Sequence, residues 1–414
     1  RLIIRTGSDS QSVMQELIEQ TKARHIYWNR LYEPHHIKRD KAIKQSMIDQ
    51  GVEVNSFNGS LLYEPWEIHK NDGGPFRVFT PFWKSCVKSG LPGSVDDQPD
   101  HLPQVSSRVK SAKIESLDLL PQIRWDSSFS DYWQPGEAGA HRNIDEFLDH
   151  AAINYQDDRN RPDIIGTSML SPHLHFGEIS PRQIIDKTSQ YANISHQQGV
   201  ITNTDCFVRE IGWREFAYHL LYHFPHTVDK PLHERFDHFP WEKNYSRNLR
   251  AWQKGLTGIP IIDAGMRQLW HTGWMHNRVR MIVASLLTKN MLIPWQQGAK
   301  WFWDTLVDAD LASNTLGWQW TAGCGADAAP FFRIFNPVTQ GEKFDPRGLY
   351  VRQWVPEIAS LPDKYLHQPW SAPQSSLDEY AIKLGKDYPR PVVDLKATRE
   401  RALERYKAIK KPSS

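Results

Sequence analysis

The chain has 414 residues, which is more than one ordinary hydrophobic core organises, so we expect two or three domains. Its net charge of +2 excludes a globally basic nucleic-acid-binding protein and limits any such surface to a local patch. No apolar run is long enough to span a membrane, and the first residues show no signal-peptide pattern, so we expect neither a membrane span nor export.

Residues 1–57 alternate strand-like and helix-like segments. RLIIRTG, RHIYWNR and GVEVNSF are short apolar runs that resemble strands. Between them, SDSQSVMQELIEQTK and IKRDKAIKQSMIDQ carry apolar residues at helical spacing. This βαβαβ order predicts an α/β Rossmann-like domain with a parallel sheet, which we assign to residues 1–90.

Residues 91–139 are rich in Pro, Ser, Asp and Gly, and we predict that they link two domains. Residues 140–414 show helical spacing in segments such as HRNIDEFLDHAAINY, so we expect a large all-α domain there. The three cysteines, Cys86, Cys206 and Cys324, lie far apart and form no CxxC pair. Their separation argues against a disulfide framework or a zinc site and fits a reducing cytoplasm.

The stretch GTSMLSPHLHFGEISPRQ carries hydroxyl groups where a helix could begin. Thr167, Ser168 and Ser171 stand beside glycine and proline. Free N–H groups and hydroxyls at a helix start can bind an anion such as a pyrophosphate. Serine and threonine are also ordinary helix caps, so this stretch is ambiguous when taken alone.

In CFVREIGWREF, Phe207, Glu210 and Arg214 share one helix face, with Trp213 at its edge. The commoner interpretation of such a carboxylate is a structural Glu–Arg pair. The alternative is an acid that desolvation keeps neutral and that points at a ligand.

The stretch GWMHNRVRMIVASLLTKNML has two faces. One is an ordinary buried stripe at helical spacing, formed by Met275, Val279, Ile282, Val283 and Leu286. The other carries Trp274, Asn277, Arg278 and Met281, a mixture that is unusual for a solvated face. This second face is either the wall of a pocket or the mixed rim of an amphipathic helix.

The stretch VDADLASNTLGWQW combines two carboxylates, an amide and two large rings. Asp310 and Asn314 can share a helix face, whereas Asp308 and Asp310 cannot. The chain holds 17 tryptophans in all, and many lie between Trp213 and Trp320. Most are expected to fill the core, but such a density also indicates ring stacking or ring chemistry.

Taken together, these stretches resemble the photolyase/cryptochrome family. The motifs GTSxLSPxLxFGxxSPRQ, WREF, TGxPxxDAGMRQL, GWMHNR, DADLASNxxGWQW, FRIFNP and QGEKFDP follow in this order across most of the chain. Within the family the chain is most similar to bacterial cyclobutane pyrimidine dimer DNA photolyases. The family normally has an earlier βα portion, so the sequence looks truncated at its N-terminus.

The resemblance implies that the helical domain binds FAD. Asp310 would accept the flavin N3–H, Asp308 would pair with Arg280, and Asn314 would lie beside N5. Phe207 replaces a tryptophan that is frequent at its position. The positions that match FAD contacts are Tyr155, Thr167, Ser168, Met169, Leu170, Ser171, Phe207, Arg214, Trp274, Asn277, Arg280, Asp308, Asp310 and Asn314.

The resemblance also implies a DNA substrate whose dimer is flipped out of the helix. Glu210, Asn277 and Asn314 would form the catalytic group, and Glu210 would have to be protonated to donate to the dimer carbonyls. Arg333 would contact a phosphate, whereas Arg278 and Arg280 could instead pair with Asp308 or Asp310. The expected DNA contacts are Glu210, Trp213, Asn277, Met281, Trp320 and Arg333.

A tryptophan chain is implied as well. Trp318, Trp295 and Trp241 match the residues that carry electrons from the surface to the photoexcited oxidised flavin. The spacing between Trp241 and Trp252 leaves Trp252 as an alternative for the outermost position.

We therefore expect a light-driven carbon–carbon lyase in which reduced FADH⁻ donates an electron to a cyclobutane pyrimidine dimer. It is expected to act as a cytoplasmic monomer without a metal. A second, antenna chromophore of folate or deazaflavin type would lie between the domains. His35 and His36 stand where folate-binding relatives often have Asn and Glu, which leaves its identity open.

Three alternatives remain. A cryptochrome-type photoreceptor would keep FAD but signal through a partner, and the end of this sequence in KKPSS shows no long signalling tail. A (6-4) photoproduct lyase would place a histidine pair in the lesion pocket, which WMHNRVRM does not supply. A helical DNA-binding scaffold would use its tryptophans for packing alone and would bind no flavin.

Overall fold

The computed structural model describes residues 2–92, 100–101, 108–195, 198–328 and 332–409. Within these ranges the strands are β1 (His25–Asn29) and β2 (Glu53–Phe57). The helices of the first half are α1 (Ser10–Thr21), α2 (Pro34–Asp49), α3 (Phe79–Lys88), α4 (Glu137–Glu146), α5 (Tyr155–Asp158), α6 (Ser171–Phe176), α7 (Pro181–Ser195) and α8 (Gln198–His223). Those of the second half are α9 (Ser246–Gln253), α10 (Pro260–Thr272), α11 (Asn277–Ser285), α12 (Trp295–Thr305), α13 (Leu311–Ala322), α14 (Pro337–Phe344), α15 (Leu349–Trp354), α16 (Asp363–Leu366), α17 (Gln374–Glu379) and α18 (Leu395–Ala408).

The N-terminal region contains a small parallel sheet covered by two helices. β1 and β2 pair in register from His25 opposite Glu53 to Asn29 opposite Phe57. Helix α1 begins where the Asp9 carboxylate accepts the backbone N–H of Ser12 at 2.9 Å. The apolar stripes of α1 and α2 pack with the strands in one cluster. The two helices and the second and third predicted strands are therefore present.

The first predicted strand is wrong for the part that the structure describes. Arg1 lies outside the described residues, and residues 2–7 form no strand. Ile4 instead donates to Ser111 Oγ at 2.9 Å and accepts from the backbone N–H of Ala112 at 2.9 Å. An apolar run becomes a strand only where a neighbouring backbone continues the hydrogen-bond ladder. The described part of the sheet has two strands, which does not confirm a Rossmann-like sheet.

The predicted linker is partly outside the described residues, at 93–99 and 102–107. Its described part contains two 3-10 turns, Ile114–Leu117 and Phe129–Asp131, and α4 already begins within it. Trp133 Nε1 donates to the Thr272 carbonyl at 2.7 Å, at the end of α10. This part of the linker is therefore anchored on the helical region.

The helical region surrounds a long central helix. Helix α8 has 26 residues and packs against α3, α5, α7 and α13. Behind α13, the largest apolar cluster joins α10, α11 and α12 with the C-terminal helices. The predicted stripe of Met275, Val279, Ile282, Val283 and Leu286 is fully buried in it, which confirms that interpretation. No helix of the described ranges is long and apolar enough to cross a bilayer.

Local sequence signals fix the helix ends that matter for the site. Asp310 caps α13 by accepting the Ser313 N–H at 2.7 Å. Gly323 ends α13 in the left-handed conformation, with φ of +85°. His276 Nδ1 caps α11 by accepting the Arg278 N–H at 3.1 Å. The VDADLASN and GWMHNR motifs therefore lie at two neighbouring helix starts, because α11 packs against α13.

Candidate functional site

Asp310 interacts with Tyr218 and Arg214, and the Asp308–Arg280 ion pair stands two residues earlier in the chain; we call these five residues together the Asp310 network. The Tyr218 hydroxyl donates to Asp310, and His175 Nδ1 lies 3.8 Å from the same carboxylate. Burial alone would raise the pKa of Asp310. Hydrogen bonds from His175 and Tyr218, together with the positive charge of Arg214, outweigh burial and lower the pKa to about 2. The group is therefore an ionised acceptor at neutral pH.

Asp308 and Arg280 form an ion pair in the same network. Arg280 Nη2 lies 2.8 Å and 3.1 Å from the two Asp308 carboxylate oxygens, and Arg280 Nε donates to the Met275 carbonyl at 2.7 Å. The Asp308 side chain is only 3% exposed. The pair follows the arrangement expected from the sequence, and it leaves Asp310 free of Arg280.

Asn314 is half-buried on the first turns of α13, and its amide is held in one orientation. Its Nδ2 donates to the Ala299 carbonyl of α12 at 3.0 Å. That bond leaves the amide oxygen free to accept a hydrogen bond. A neutral acceptor fixed in this way suits a cofactor nitrogen that carries a proton.

The segment Thr167–Leu170 precedes α6 without helical structure, so its backbone N–H groups are not used in a helix. Met169 has φ of +53°, which is a strained conformation for a residue with a side chain. Asn143 Nδ2 approaches the Met169 carbonyl at 3.4 Å and supports it. Helix α6 starts at Ser171, as the sequence predicts.

Glu210 lies in an ion pair. Arg159 Nη1 is 2.7 Å from Glu210 Oε1, and the two side chains are 22% and 28% exposed. Arg159 also lies over the Tyr155 ring, whose other neighbours are the Phe147 and Phe207 rings. The sequence left this carboxylate two roles, a partner in a Glu–Arg pair or an acid aimed at a ligand. The first sequence interpretation, a structural Glu–Arg pair, therefore fits the structure, with Arg159 as the partner.

Two further arginines, Arg278 and Arg333, lie near Arg159, and we call these three residues the arginine cluster. Desolvation and the charges of Arg159 and Arg333 lower the pKa of Arg278. Arg278 donates to Asn160 Oδ1 at 2.5 Å and lies over the Phe344 ring at 4.5 Å. Within the described residues neither Arg278 nor Arg333 has a carboxylate partner. The cluster is suited to an external anion.

The remaining predicted contacts lie at partly open positions. Asn277 is exposed at the start of α11, and Met281 follows one helical turn later. Trp213 and Trp320 are both partly exposed. Trp274 is partly buried, with the Arg280 guanidinium 5.9 Å from its ring centre. The face of α11 that the sequence sets apart is thus more open than its buried stripe.

Among the described residues, no ring contact joins any two of Trp318, Trp295 and Trp241, the members of the predicted tryptophan chain. Trp318 and Trp295 are each 2% exposed, and Trp241 is partly exposed. Gly298 lets α12 approach Trp318 closely, because a Cβ there would lie 2.0 Å from the indole. Trp252 is fully buried and lies 6.1 Å from Trp318, so the alternative that makes it the outermost residue is wrong.

Sequence reasoning missed Arg159, Tyr218 and His175 as members of the site. Arg159 follows Tyr155 by four residues, and Tyr218 follows Arg214 by four, so both continue helix faces that already carry predicted contacts. That spacing could have identified them. Nothing in the sequence pairs His175 with Asp310, because the contact joins α6 to α13.

Comparison with known proteins supplies independent information. Residues 1–104 match the DNA photolyase family, and residues 207–408 match the FAD binding domain of DNA photolyase. The chain is 48% identical over 412 residues to the deoxyribodipyrimidine photo-lyase of Agrobacterium fabrum, covering 99% of this chain and 85% of that protein. It is 38% identical over 409 residues to Cryptochrome-2 of Arabidopsis thaliana, covering 96% of this chain and 66% of that protein. A bacterial class III photolyase from Agrobacterium tumefaciens superposes with a TM-score of 0.90 at 47% identity, covering 100% of this chain and 84% of that chain.

Proposed function

The chain belongs to the photolyase/cryptochrome family, and we propose that the sites described above carry out light-driven repair of cyclobutane pyrimidine dimers in DNA. Bound FAD in its reduced form supplies the electron when it absorbs blue or near-ultraviolet light. The relative with 48% identity is named a deoxyribodipyrimidine photo-lyase. The observation that carries the proposal is the combination of the buried, ionised Asp310 with an arginine cluster in which, among the described residues, Arg278 and Arg333 have no carboxylate partner.

The Asp310 network fits the flavin ring. Asp310 accepts the ring N3–H as an ionised carboxylate, and its own bonds to Tyr218 and Ser313 keep it in place. Asn314 would offer its amide oxygen to N5, because the bond from its Nδ2 to the Ala299 carbonyl fixes the orientation of the amide. Met169 and its neighbours offer free backbone N–H groups to the pyrophosphate, and Tyr155 lies across from Phe207 as a ring contact.

The arginine cluster holds the DNA. Arg278 and Arg333 bind backbone phosphates that flank the lesion, which positions the strand without reading its sequence. The extruded dimer enters between Trp213, Trp320 and the Asn277 end of α11. A damaged base pair is cheaper to extrude than an intact one, and this difference gives selectivity for the lesion.

Glu210 can act on the dimer only after it leaves Arg159. In the resting pair Glu210 Oε1 is held by Arg159 Nη1 at 2.7 Å. A phosphate that binds the arginine cluster competes with Glu210 for Arg159. The freed side chain can then reach the carbonyl edge of the dimer.

A second chromophore completes the proposal. A cleft of about 490 Å³ lies between Arg77 of the N-terminal region and a helical-region segment that includes Phe224, His226 and Arg235. Its volume suits a pigment-sized ligand. We assign residues 1–90 to the antenna-side domain, 91–139 to the linker and 140–414 to the catalytic domain, and we propose a cytoplasmic monomer. Absorbance and mass of the extracted pigment identify it as a folate or a deazaflavin.

Repair of a defined thymine dimer tests the function directly. Protein with reduced flavin should restore the thymines of a dimer-containing oligonucleotide under blue light and not in the dark. A (6-4) photoproduct in the same assay should stay unrepaired. Bound flavin without repair of either lesion would favour the photoreceptor alternative, and absence of flavin would favour the DNA-binding scaffold.

A further inference from the structure

Trp213 is backed by a buried phenylalanine from the N-terminal region. The ring centres of Phe79 and Trp213 are 3.8 Å apart, and their planes differ by 9°. Trp83 is also nearly parallel to Phe79, with ring centres 6.4 Å apart and planes that differ by 8°. Three nearly parallel rings therefore lead from α3 to α8. Phe79 is 2% exposed, whereas Trp213 is partly exposed.

The contact restrains the orientation of the indole. At Gly212 an added Cβ would lie 2.5 Å from the Trp83 ring, so α3 and α8 approach without an intervening side chain. Phe216 meets Trp213 edge-on at 6.0 Å. With one face covered by Phe79 and an edge by Phe216, the open surface of Trp213 lies on its remaining side.

The start of α3 is also tied to the segment that follows α13. The Asp327 side chain accepts the Phe79 backbone N–H, and the Asp327 N–H donates to the Arg77 carbonyl at 3.2 Å. Asp327 lies between Trp320 and Arg333 in the sequence. Phe79 is thus held by the same segment that carries two of the proposed DNA contacts.

We propose that Phe79 is a positioning residue for dimer recognition, which rests on the proposed function of Trp213. Phe79 fixes the plane of Trp213 so that the open face of the indole is ready to pack against an extruded dimer. A preorganised ring loses little side-chain freedom when it packs against a ligand. Without Phe79 the indole loses more side-chain freedom when it packs against the dimer, so recognition of the lesion weakens.

The chain offers a matched control for this idea. Phe82 belongs to the same buried cluster as Phe79 and is also 2% exposed. It contacts Phe216 at 5.2 Å and His219 at 5.0 Å, and no ring contact joins it to Trp213 in the described part of the chain. Phe79→Leu and Phe82→Leu therefore remove the same side-chain volume from one cluster, and only the first removes the stack.

The test measures dissociation constants for oligonucleotides with and without one thymine dimer. We expect Phe79→Leu to weaken dimer binding about five-fold, the range of an aromatic pair, and to leave binding of undamaged DNA unchanged. Phe79→Tyr, which keeps a ring, should retain most of the affinity. Phe82→Leu should lower the melting temperature as much as Phe79→Leu without changing dimer affinity. Equal dimer affinity of Phe79→Leu and Phe82→Leu would overturn the inference.

Trp213→Ala separates this inference from the proposed function. If Trp213→Ala weakens dimer binding and Phe79→Leu does not, the role of Phe79 is wrong and that of Trp213 stands. If Trp213→Ala binds the dimer as wild type does, the proposed place of Trp213 is wrong and the inference falls with it. Should Phe79→Leu not fold, Phe79→Met fills the site without a ring and gives the same comparison.

Discussion

The Asp310 network and the arginine cluster differ in how far their charges are paired within the protein. In the network, Asp308 is paired with Arg280, and Asp310 is surrounded by donors. In the cluster, Arg278 and Arg333 lie near Arg159, and in the part of the chain that the structure describes Arg159 alone of the three has a carboxylate partner. A network that is satisfied internally can hold a cofactor rigidly, whereas unpaired positive charge is stabilised when an anion arrives. In the proposed function, this difference separates the part that would hold the flavin from the part that would bind DNA.

We expect the largest effect, on photoreduction of the flavin, from a change at Trp318. Trp318→Phe should nearly abolish photoreduction of oxidised flavin, because phenylalanine is much harder to oxidise than tryptophan. Repair by enzyme that is chemically reduced beforehand should be unchanged. Trp252→Phe is the matched control, since Trp252 is buried beside Trp318. Photoreduction is followed by flavin absorbance under blue light, and a wild-type rate in Trp318→Phe would remove this residue from the electron path.

Removing one partner of the ion pair in the network should cost folding stability. Asp308→Ala leaves Arg280 without its carboxylate, which we expect to destabilise the protein by about 3 kcal/mol. Urea unfolding measures this change. The double variant Asp308→Ala/Arg280→Met removes both charges and should recover part of the loss. A loss below about 0.5 kcal/mol would show that the pair behaves like an exposed surface ion pair.

His276 connects the two regions, because it caps the helix that carries both Arg278 and Arg280. Burial, with the charges of these two arginines, lowers the pKa of His276 to about 3 from 6.5. Between about pH 6.5 and pH 3, His276 is therefore protonated in the unfolded chain but neutral in the folded protein. This contribution to stability is present above pH 6.5 and is lost progressively as pH falls toward 3.

His276→Asn keeps a side-chain acceptor for the cap and has no group that titrates in this range. Its stability should therefore fall less than that of wild type below pH 6.5, with the difference changing by about 1.4 kcal/mol per pH unit. Urea unfolding at pH 7, 6 and 5 measures both proteins. Parallel pH dependence of the two would contradict a buried neutral histidine.

A smaller effect is expected in the arginine cluster, and it should appear in binding rather than in stability. Arg278→Gln should weaken binding of damaged and undamaged DNA alike and should lower the slope of log affinity against log salt by about 1. Its unfolding free energy should stay near that of wild type. Arg124→Gln, at a residue paired with Asp126 in the linker, is the control. An unchanged salt slope in Arg278→Gln would argue against a phosphate contact there.

Local pattern predicted the features that depend on local interactions. The buried stripe at Val279 and Val283 follows from helical spacing. The absence of a strand at residues 2–7 was not predictable, because strand formation depends on a partner elsewhere in the chain. The Asp308–Arg280 pair was predicted from the family resemblance, which rests on the order of the motifs. The Arg159–Glu210 pair joins α5 to α8, and no local rule selects it over other Glu–Arg pairs.

The quantum yield of dimer repair by Glu210→Ala is the most direct test of the central claim, that a flavin held by the Asp310 network acts on a dimer held against Glu210. The variant should retain wild-type flavin content, because Glu210 lies outside the network, and should repair a thymine dimer with a several-fold lower yield at saturating DNA. Loss of flavin from the variant, or a yield equal to that of wild type, would contradict the account.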